Sequence, residues 1–497
     1  MSPSAKHQRY DVIVVGAGNA ALVTALSAHE AGARVLVLEK APKTMRGGST
    51  YLTGGGFRFV HNGMETIRDL VPDLSEDELR RWQVFPYSAD EYYNDFMRVT
   101  DGLANPELIE VLVAESNPTV RWMVGQGLKL EIRSSGVLHI GERLVRQKGS
   151  QPLEAKGGGA GLEDMYFDIA EQKGIEIRYQ TKATKLMVNS SGVVCGVTIK
   201  DKEGFHDIGS KAVVLACGGF EANPEMRAKY LGNKWDTVKI RGTKYDTGDG
   251  HIMAMQIGAQ PTGQWTGCHA TNIDAEAPDI ADRATGDKTS RTDYQYSIIV
   301  NSLGKRFVDE GEDIRHFTYA KLGRNVLAQP QGIAFQIFDS KVKHLLQSRY
   351  ATGRCVTADS IEELAENLEI DSESLTNTLK EFNAAVQKGS FDPTIKDGKG
   401  TVGISPPKTN WAQELDSPPF EAYPVMCAIT FTFGGLKINR RAQVLDTEDE
   451  IIPGLYAAGE IVGGLFYNNY PGGTGIMAGA VFGRIAGATA ASEGQSQ

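Results

Sequence analysis

The stretch that most constrains this chain is Tyr10 to Lys40. An apolar run, Val12-Ile13-Val14-Val15, enters Gly16-Ala17-Gly18-Asn19-Ala20-Ala21, and a second run, Val35-Leu36-Val37-Leu38, ends at Glu39. The pattern predicts strand, tight turn, helix and strand, the opening of a parallel sheet with a crossover helix. Gly16 permits the turn. Gly18, without a side chain, lets the backbone amides of the helix start at Asn19 and Ala20 approach a pyrophosphate. Ala21 still allows close packing of helix on strand. A carboxylate at Glu39 accepts hydrogen bonds from both hydroxyls of an adenosine ribose and repels a 2′-phosphate, so FAD or NAD is expected over NADP. The alternative reading is a structural glycine turn in an ordinary parallel sheet.

Other glycine-rich stretches repeat the signal. After Glu39 and Lys40 comes Arg46-Gly47-Gly48-Ser49-Thr50-Tyr51-Leu52-Thr53-Gly54-Gly55-Gly56, whose place behind a nucleotide-binding strand favours a backbone wrapped round a flat ligand over a flexible linker. Gly157 to Gly161 opens a helix running to Lys173. Strands are then expected at 175–179, 183–189, 193–199 and 212–216, the last ending in Ala216-Cys217-Gly218-Gly219-Phe220 with Asn223 following. Thr247-Gly248-Asp249-Gly250-His251 starts another helix. Near the C-terminus, Gly454 to Glu460 reads as a strand into a Gly459-Glu460 turn, and Gly472-Gly473-Thr474-Gly475-Ile476 opens a final helix through Ala490. Ala183, Ala216, Gly218, Asn223, Asp249, Gly459, Glu460, Gly473, Gly475 and Ile476 are therefore grouped with the first motif as cofactor-binding positions. Fifty-six glycines in 497 residues exceed the usual share of ~7%, as many close approaches of backbone to a large ligand require.

Residues ~60 to 150 carry more charge and helical periodicity, as in Glu107 to Trp122, and are expected to form a helical layer on the sheet. From about Thr266 to Ile429 the composition shifts to longer polar loops, a helical segment from Ser360 to Lys388 and a proline-rich stretch, which together read as an inserted domain. A net charge of −10 argues against a nucleic-acid partner. Five scattered cysteines, Cys195, Cys217, Cys268, Cys355 and Cys427, without a Cys-x-x-Cys pair, predict free thiols and neither a metal site nor a disulfide framework. No apolar segment reaches the ~20 residues of a membrane span, and Met1 to Arg9 lacks a secretory core, so a cytoplasmic protein is expected.

Seven motifs in order carry a resemblance: Val14 to Gly18, Glu39-Lys40, Gly47 to Thr50, Ala216 to Phe220, Gly304-Lys305-Arg306-Phe307-Val308-Asp309-Glu310, Ala457-Ala458-Gly459-Glu460 and Phe482 to Gly487. The set resembles the FAD-dependent flavoproteins of the succinate dehydrogenase and fumarate reductase family, which includes 3-ketosteroid dehydrogenases. Ile240-Arg241-Gly242-Thr243, Asp309 to Asp313, Asn383-Ala384-Ala385 and Ile429 to Phe433 with Gly435-Leu436 add a likeness, within that family, to FAD-dependent tricarballylate dehydrogenase. The resemblance implies an α/β fold: a Rossmann-like FAD-binding domain split into 1–265 and 430–497, with an α+β capping domain, 266–429, inserted between its halves. It also implies an active site where the cap meets the isoalloxazine. Ser49 stands where membrane-bound members carry a flavin-linking histidine, so the FAD is expected to be noncovalent.

The implied chemistry makes or removes a C–C double bond beside a carboxylate or carbonyl, with hydride exchanged at flavin N5, a proton-transfer group and donors that stabilise enolate charge. His269 matches the family's substrate-binding histidine; its structural alternative is a buried core histidine. Arg315 lies one place beyond the family's proton-transferring arginine, and the alternative is a surface arginine paired with Glu312 or Asp313. Phe431 and Tyr470 replace a substrate-clamping histidine and a carboxylate-binding arginine of fumarate reductases, which makes fumarate itself a poor candidate. Asn469 to Thr474 instead looks like the loop of 3-ketosteroid dehydrogenases in which a tyrosine polarises the substrate carbonyl; the alternative is a core tyrosine. Phe431 and Phe433 are expected at the substrate. The expected substrate is a tricarballylate-like polycarboxylate, working with a further electron acceptor. The rival readings are an enone or 3-ketosteroid-type dehydrogenase with an apolar substrate, and a non-catalytic flavin-binding redox sensor.

Overall fold

The computed structural model describes residues 10–495. The expected absence of a secretory core at Met1 to Arg9 lies outside them. Strand β1 (Tyr10–Val15) sits between β2 (Val35–Leu38) and the second half of Gly204–Leu215, pairing in parallel with both, Val14 opposite Val37 on one side and Val214 on the other. With sheet on both edges and helices on its faces, the strand is apolar at nearly every position. Ile451–Ala457 adds a further parallel strand beside Gly204–Leu215, Leu455 opposite Val213. The sheet thus joins the two ends of the chain.

Helix α1 (Asn19–Glu30) packs on the C-terminal helix Thr474–Gln495. A Cβ at Gly487 would lie 2.3 Å from the Thr24 carbonyl oxygen, so the two backbones approach as only glycine allows. Ser27 Oγ donates to the Arg484 carbonyl (2.7 Å) and Asn19 Nδ2 to that of Ile476 (2.8 Å). The first half of Gly204–Leu215 turns back antiparallel onto Val194–Asp201, which pairs with Lys182–Val188.

Two stretches differ from the sequence reading. Residues 60–150 contain the expected helices, the longest Pro106–Gln126, but also short strands such as Leu130–Ile132 and Arg143–Arg146. The helical segment expected from Ser360 to Lys388 is two helices, Ile361–Asn367 and Ser372–Ala385. Glu369 adopts a positive φ of 57° and Asp371 caps the second helix by accepting from the Ser374 amide at 2.7 Å, so the backbone turns where helical periodicity alone suggests continuity.

A second sheet is built round the thirteen-residue strand Phe420–Thr432. Cys268–Asp274, Ile333–Phe338 and Val356–Ala358 pair antiparallel with it, and Ile298–Asn301 continues the sheet beyond Ile333–Phe338. Lys239–Ile240 pairs in parallel with Ala428 and Ile429, so this sheet takes in residues upstream of position 266. Helix Tyr319–Leu327 lies across Cys268–Asp274. Among the described residues no helix is long and apolar enough to cross a membrane, and all five cysteines are free.

Candidate active site

One continuous cavity runs from the β1–α1 turn to the second sheet. Gly16 has φ 106°, and a Cβ there would sit 2.3 Å from the Ala216 carbonyl oxygen, so the turn demands glycine. At Gly18 a Cβ would meet nothing closer than Thr50 Oγ1 at 3.5 Å. The space over Gly18 is therefore open to a ligand, while α1 and the C-terminal helix both begin at the wall of the cavity. Glu39 is buried, accepts from the Ala41 amide at 2.7 Å, and is pushed up to about 7 by burial against that bond. Ribose hydroxyls donating to it would favour its ionised form. This donor set fits an adenine dinucleotide.

All expected cofactor and catalytic positions line the cavity except Gly47 and Asn223, and of the two expected substrate phenylalanines only Phe431 lines it. Gly47 sits behind the wall with φ 98°, and a Cβ there would meet Glu163 Cγ at 3.0 Å. Asn223 caps helix Pro224–Leu231, accepting from the Met226 amide (3.0 Å) and donating to the Thr247 carbonyl (3.1 Å). Phe433 is buried behind Phe431, ring centroids 5.5 Å apart. Asp249 faces the cavity while held by Lys40 (2.7 Å) and Lys182 (2.8 Å). Ser49 Oγ lies within hydrogen-bonding distance of Asp246 (2.8 Å) and Glu221 (3.2 Å), committing the hydroxyl to a buried group of acids.

At the opposite end, His269 lies on Cys268–Asp274 in register with Phe431. Its ring packs edge-on against Tyr319 and Tyr470, centroids 4.9 Å away in each case. Both ring nitrogens are buried without a hydrogen-bond partner. Burial, then the Arg241 guanidinium, holds its pKa well below the usual imidazole value, so the ring is neutral and can offer one N–H to a bound molecule. The Tyr470 and Tyr319 hydroxyls are hydrogen-bonded to each other.

Arg315 corrects the surface alternative. It is buried and paired with Asp293, while Asp313 pairs with Arg98 (2.6 Å) and Glu312 with Lys321 (2.7 Å). Asp293 is itself fixed by the Gln347 amide (2.7 Å). The turn Arg315–Phe317 is latched to the loop bearing Tyr470: Asn469 Nδ2 donates to the Phe317 carbonyl (2.6 Å) and the Gly472 amide to that of His316 (2.8 Å). Sequence reasoning assigned no role to Arg133, Arg241, Asp287, Tyr319 or Arg349, which also line this end. Arg241 stood in a quoted motif; Arg349, in Gln347-Ser348-Arg349-Tyr350, carries no local signal at all.

The sequence pattern of the FAD binding domain family matches residues 11–476. The chain belongs to that family. It is 31% identical to a probable fumarate reductase of Shewanella frigidimarina over 97% of its own length and 74% of that protein. Its fold matches the open conformation of a flavocytochrome c3 fumarate reductase with a TM-score of 0.71 at 26% identity, covering 98% of this chain and 78% of the other. The 3-ketosteroid Δ1-dehydrogenase of Sterolibacterium denitrificans shares the fold, TM-score 0.73 at 20% identity, covering 98% and 100%. The protein binds FAD and is an FAD-dependent oxidoreductase acting on CH–CH groups.

Proposed function

We propose that the enzyme makes or removes a C–C double bond beside a carboxylate, with a tricarballylate-like polycarboxylate as first candidate. The observation that carries this reading is the meeting of Arg315 and His269, both from the cap side, with Tyr470 of the C-terminal loop in one cavity. FAD, when bound, supplies the hydride acceptor or donor. Arg315, oriented by Asp293, is assigned the proton at the neighbouring carbon, and its burial shields the exchange from bulk water. His269 offers an N–H to a carboxylate oxygen. The Tyr470 hydroxyl, placed by Tyr319, stabilises developing enolate charge.

The test is anaerobic flavin bleaching across saturated acids and enones, with reoxidation by their unsaturated counterparts. Bleaching by tricarballylate or a related acid, and not by 3-ketosteroids, is expected. The opposite pattern would favour the enone reading, which the paired phenols and the rings of Phe431 and Phe466 around Tyr470 support. We also propose a noncovalent FAD, since Ser49 replaces the linking histidine of the membrane-bound relatives. Acid precipitation should leave the flavin in the supernatant; yellow protein in the pellet would overturn this.

A further inference from the structure

The cap end of the cavity holds more buried positive charge than the reaction uses. Five guanidiniums, Arg133, Arg146, Arg241, Arg315 and Arg349, gather round three carboxylates, Glu154, Asp287 and Asp293. Arg146 is buried and donates only to backbone carbonyls, those of Ser135 (2.6 Å), Gln151 (2.9 Å) and Arg133 (3.3 Å). Asp287 is shared between two cations, touching Arg241 through Oδ1 and Arg349 through Oδ2 at 3.3 Å. Arg349 uses Nη2 for that contact and for Ser135 Oγ (3.1 Å), and Arg133 Nε is buried without a partner. Buried charge in such excess is costly unless an anion joins it.

The surroundings report the same field. Burial and then Arg315, Arg146, Arg58 and Arg133 hold His316 well below its usual pKa. Arg146 itself is brought down to about 9 by burial, Arg133 and Arg315. Burial works to raise Asp287, yet Arg241 and Arg349 outweigh it and keep this carboxylate ionised. Phe431 and Tyr470, at the positions where the resemblance implies carboxylate-clamping groups, supply no cation.

We infer that Arg241, Arg349 and Arg133 form a binding subsite for a second carboxylate of the substrate, with Asp287 as its resident counter-ion. The substrate is then a di- or tricarboxylic acid whose reacting end meets His269, Arg315 and Tyr470, and whose remote carboxylate binds among the three arginines. The inference rests on the acid-substrate reading above, and it moves carboxylate recognition from positions 431 and 470 to the three arginines. Charge-assisted contacts of this kind discriminate by about tenfold or more.

The experiment is calorimetric titration of the FAD-loaded enzyme, at fixed ionic strength, with succinate, tricarballylate and monomethyl succinate. The parent should bind both free acids at least about tenfold more tightly than the monoester, and Arg349→Gln should collapse that preference with FAD retained. Asp287→Asn, which removes the competing carboxylate, should tighten succinate binding. Equal affinity for succinate and its monoester in the parent, or a preference that survives Arg349→Gln, overturns the subsite. If Arg349→Gln does not hold FAD, the Asp287→Asn arm decides: unchanged or weaker succinate binding overturns it equally. Free-acid preference with no acid able to bleach or reoxidise the flavin would instead defeat the proposed reaction and leave the subsite standing.

Discussion

At the dinucleotide end the cavity is walled by backbone and small residues from short, contiguous stretches, and its buried acids are driven toward the neutral form. Glu460 is pushed up to about 8 by burial and Asp246, and the carboxylate oxygens of Glu221, Asp246 and Glu460 lie within 4.8 Å of one another. At the cap end the wall is side chains from widely separated parts of the chain, and the buried acid Asp287 is kept ionised by arginines. Burial acts on the carboxylates of both ends in the same direction. The neighbours decide the outcome: burial and a nearby acid leave Glu460 toward its neutral form at one end, and two arginines keep Asp287 ionised at the other.

The sharpest way to separate the ends is Arg315→Ala. With the arginine lost from the cap end and the nucleotide end untouched, flavin reduction by substrate should fall by about 10²- to 10⁴-fold while FAD content stays at the parent level; stopped-flow bleaching against bound-flavin absorbance reads both. Activity within a few-fold of parent would remove Arg315 from proton transfer.

Tyr470→Phe probes the seam, since its loop is latched to the Arg315 turn. Loss of a single enolate-stabilising donor should slow reduction by about 10²-fold. A variant as fast as the parent would assign Tyr470 to packing and leave Tyr319 as the polar partner.

Glu39→Ala addresses the other end. Removing charge-assisted ribose bonding worth in total about 1.5–3 kcal/mol should weaken FAD retention on dialysis by roughly ten- to a hundredfold, with the rate of the remaining holoenzyme unchanged. A changed rate at full occupancy would mean the two ends are coupled.

The smallest effect is a pH dependence. Glu460, raised from 4.5 to about 8, contributes stability that is fully present below about pH 4.5 and is lost as pH rises through about 8. Glu460→Gln should therefore flatten the fall in melting temperature between pH 5 and 9. An unaltered fall would place the alkaline sensitivity elsewhere.

The sequence by itself determined the nucleotide half. Gly16, Gly18 and Glu39 lie within 24 residues, and a turn, a helix start and a strand end are local geometries that neighbouring residues dictate. It also marked His269, Arg315 and Tyr470 through family motifs. Only the tertiary structure decided what surrounds them. Asp293 reaches Arg315, Arg241 and Arg349 meet on Asp287, and Tyr319 meets Tyr470, 151 positions away, because strand pairing on Phe420–Thr432 and the latch at Asn469 bring distant residues together. Asn223 and Gly47 show the converse: both follow glycine-rich or nucleotide-type stretches that read as ligand contacts, yet one caps a helix and the other backs the wall. A side chain's partner across such distances is set by packing of whole elements, and no local period or spacing encodes it.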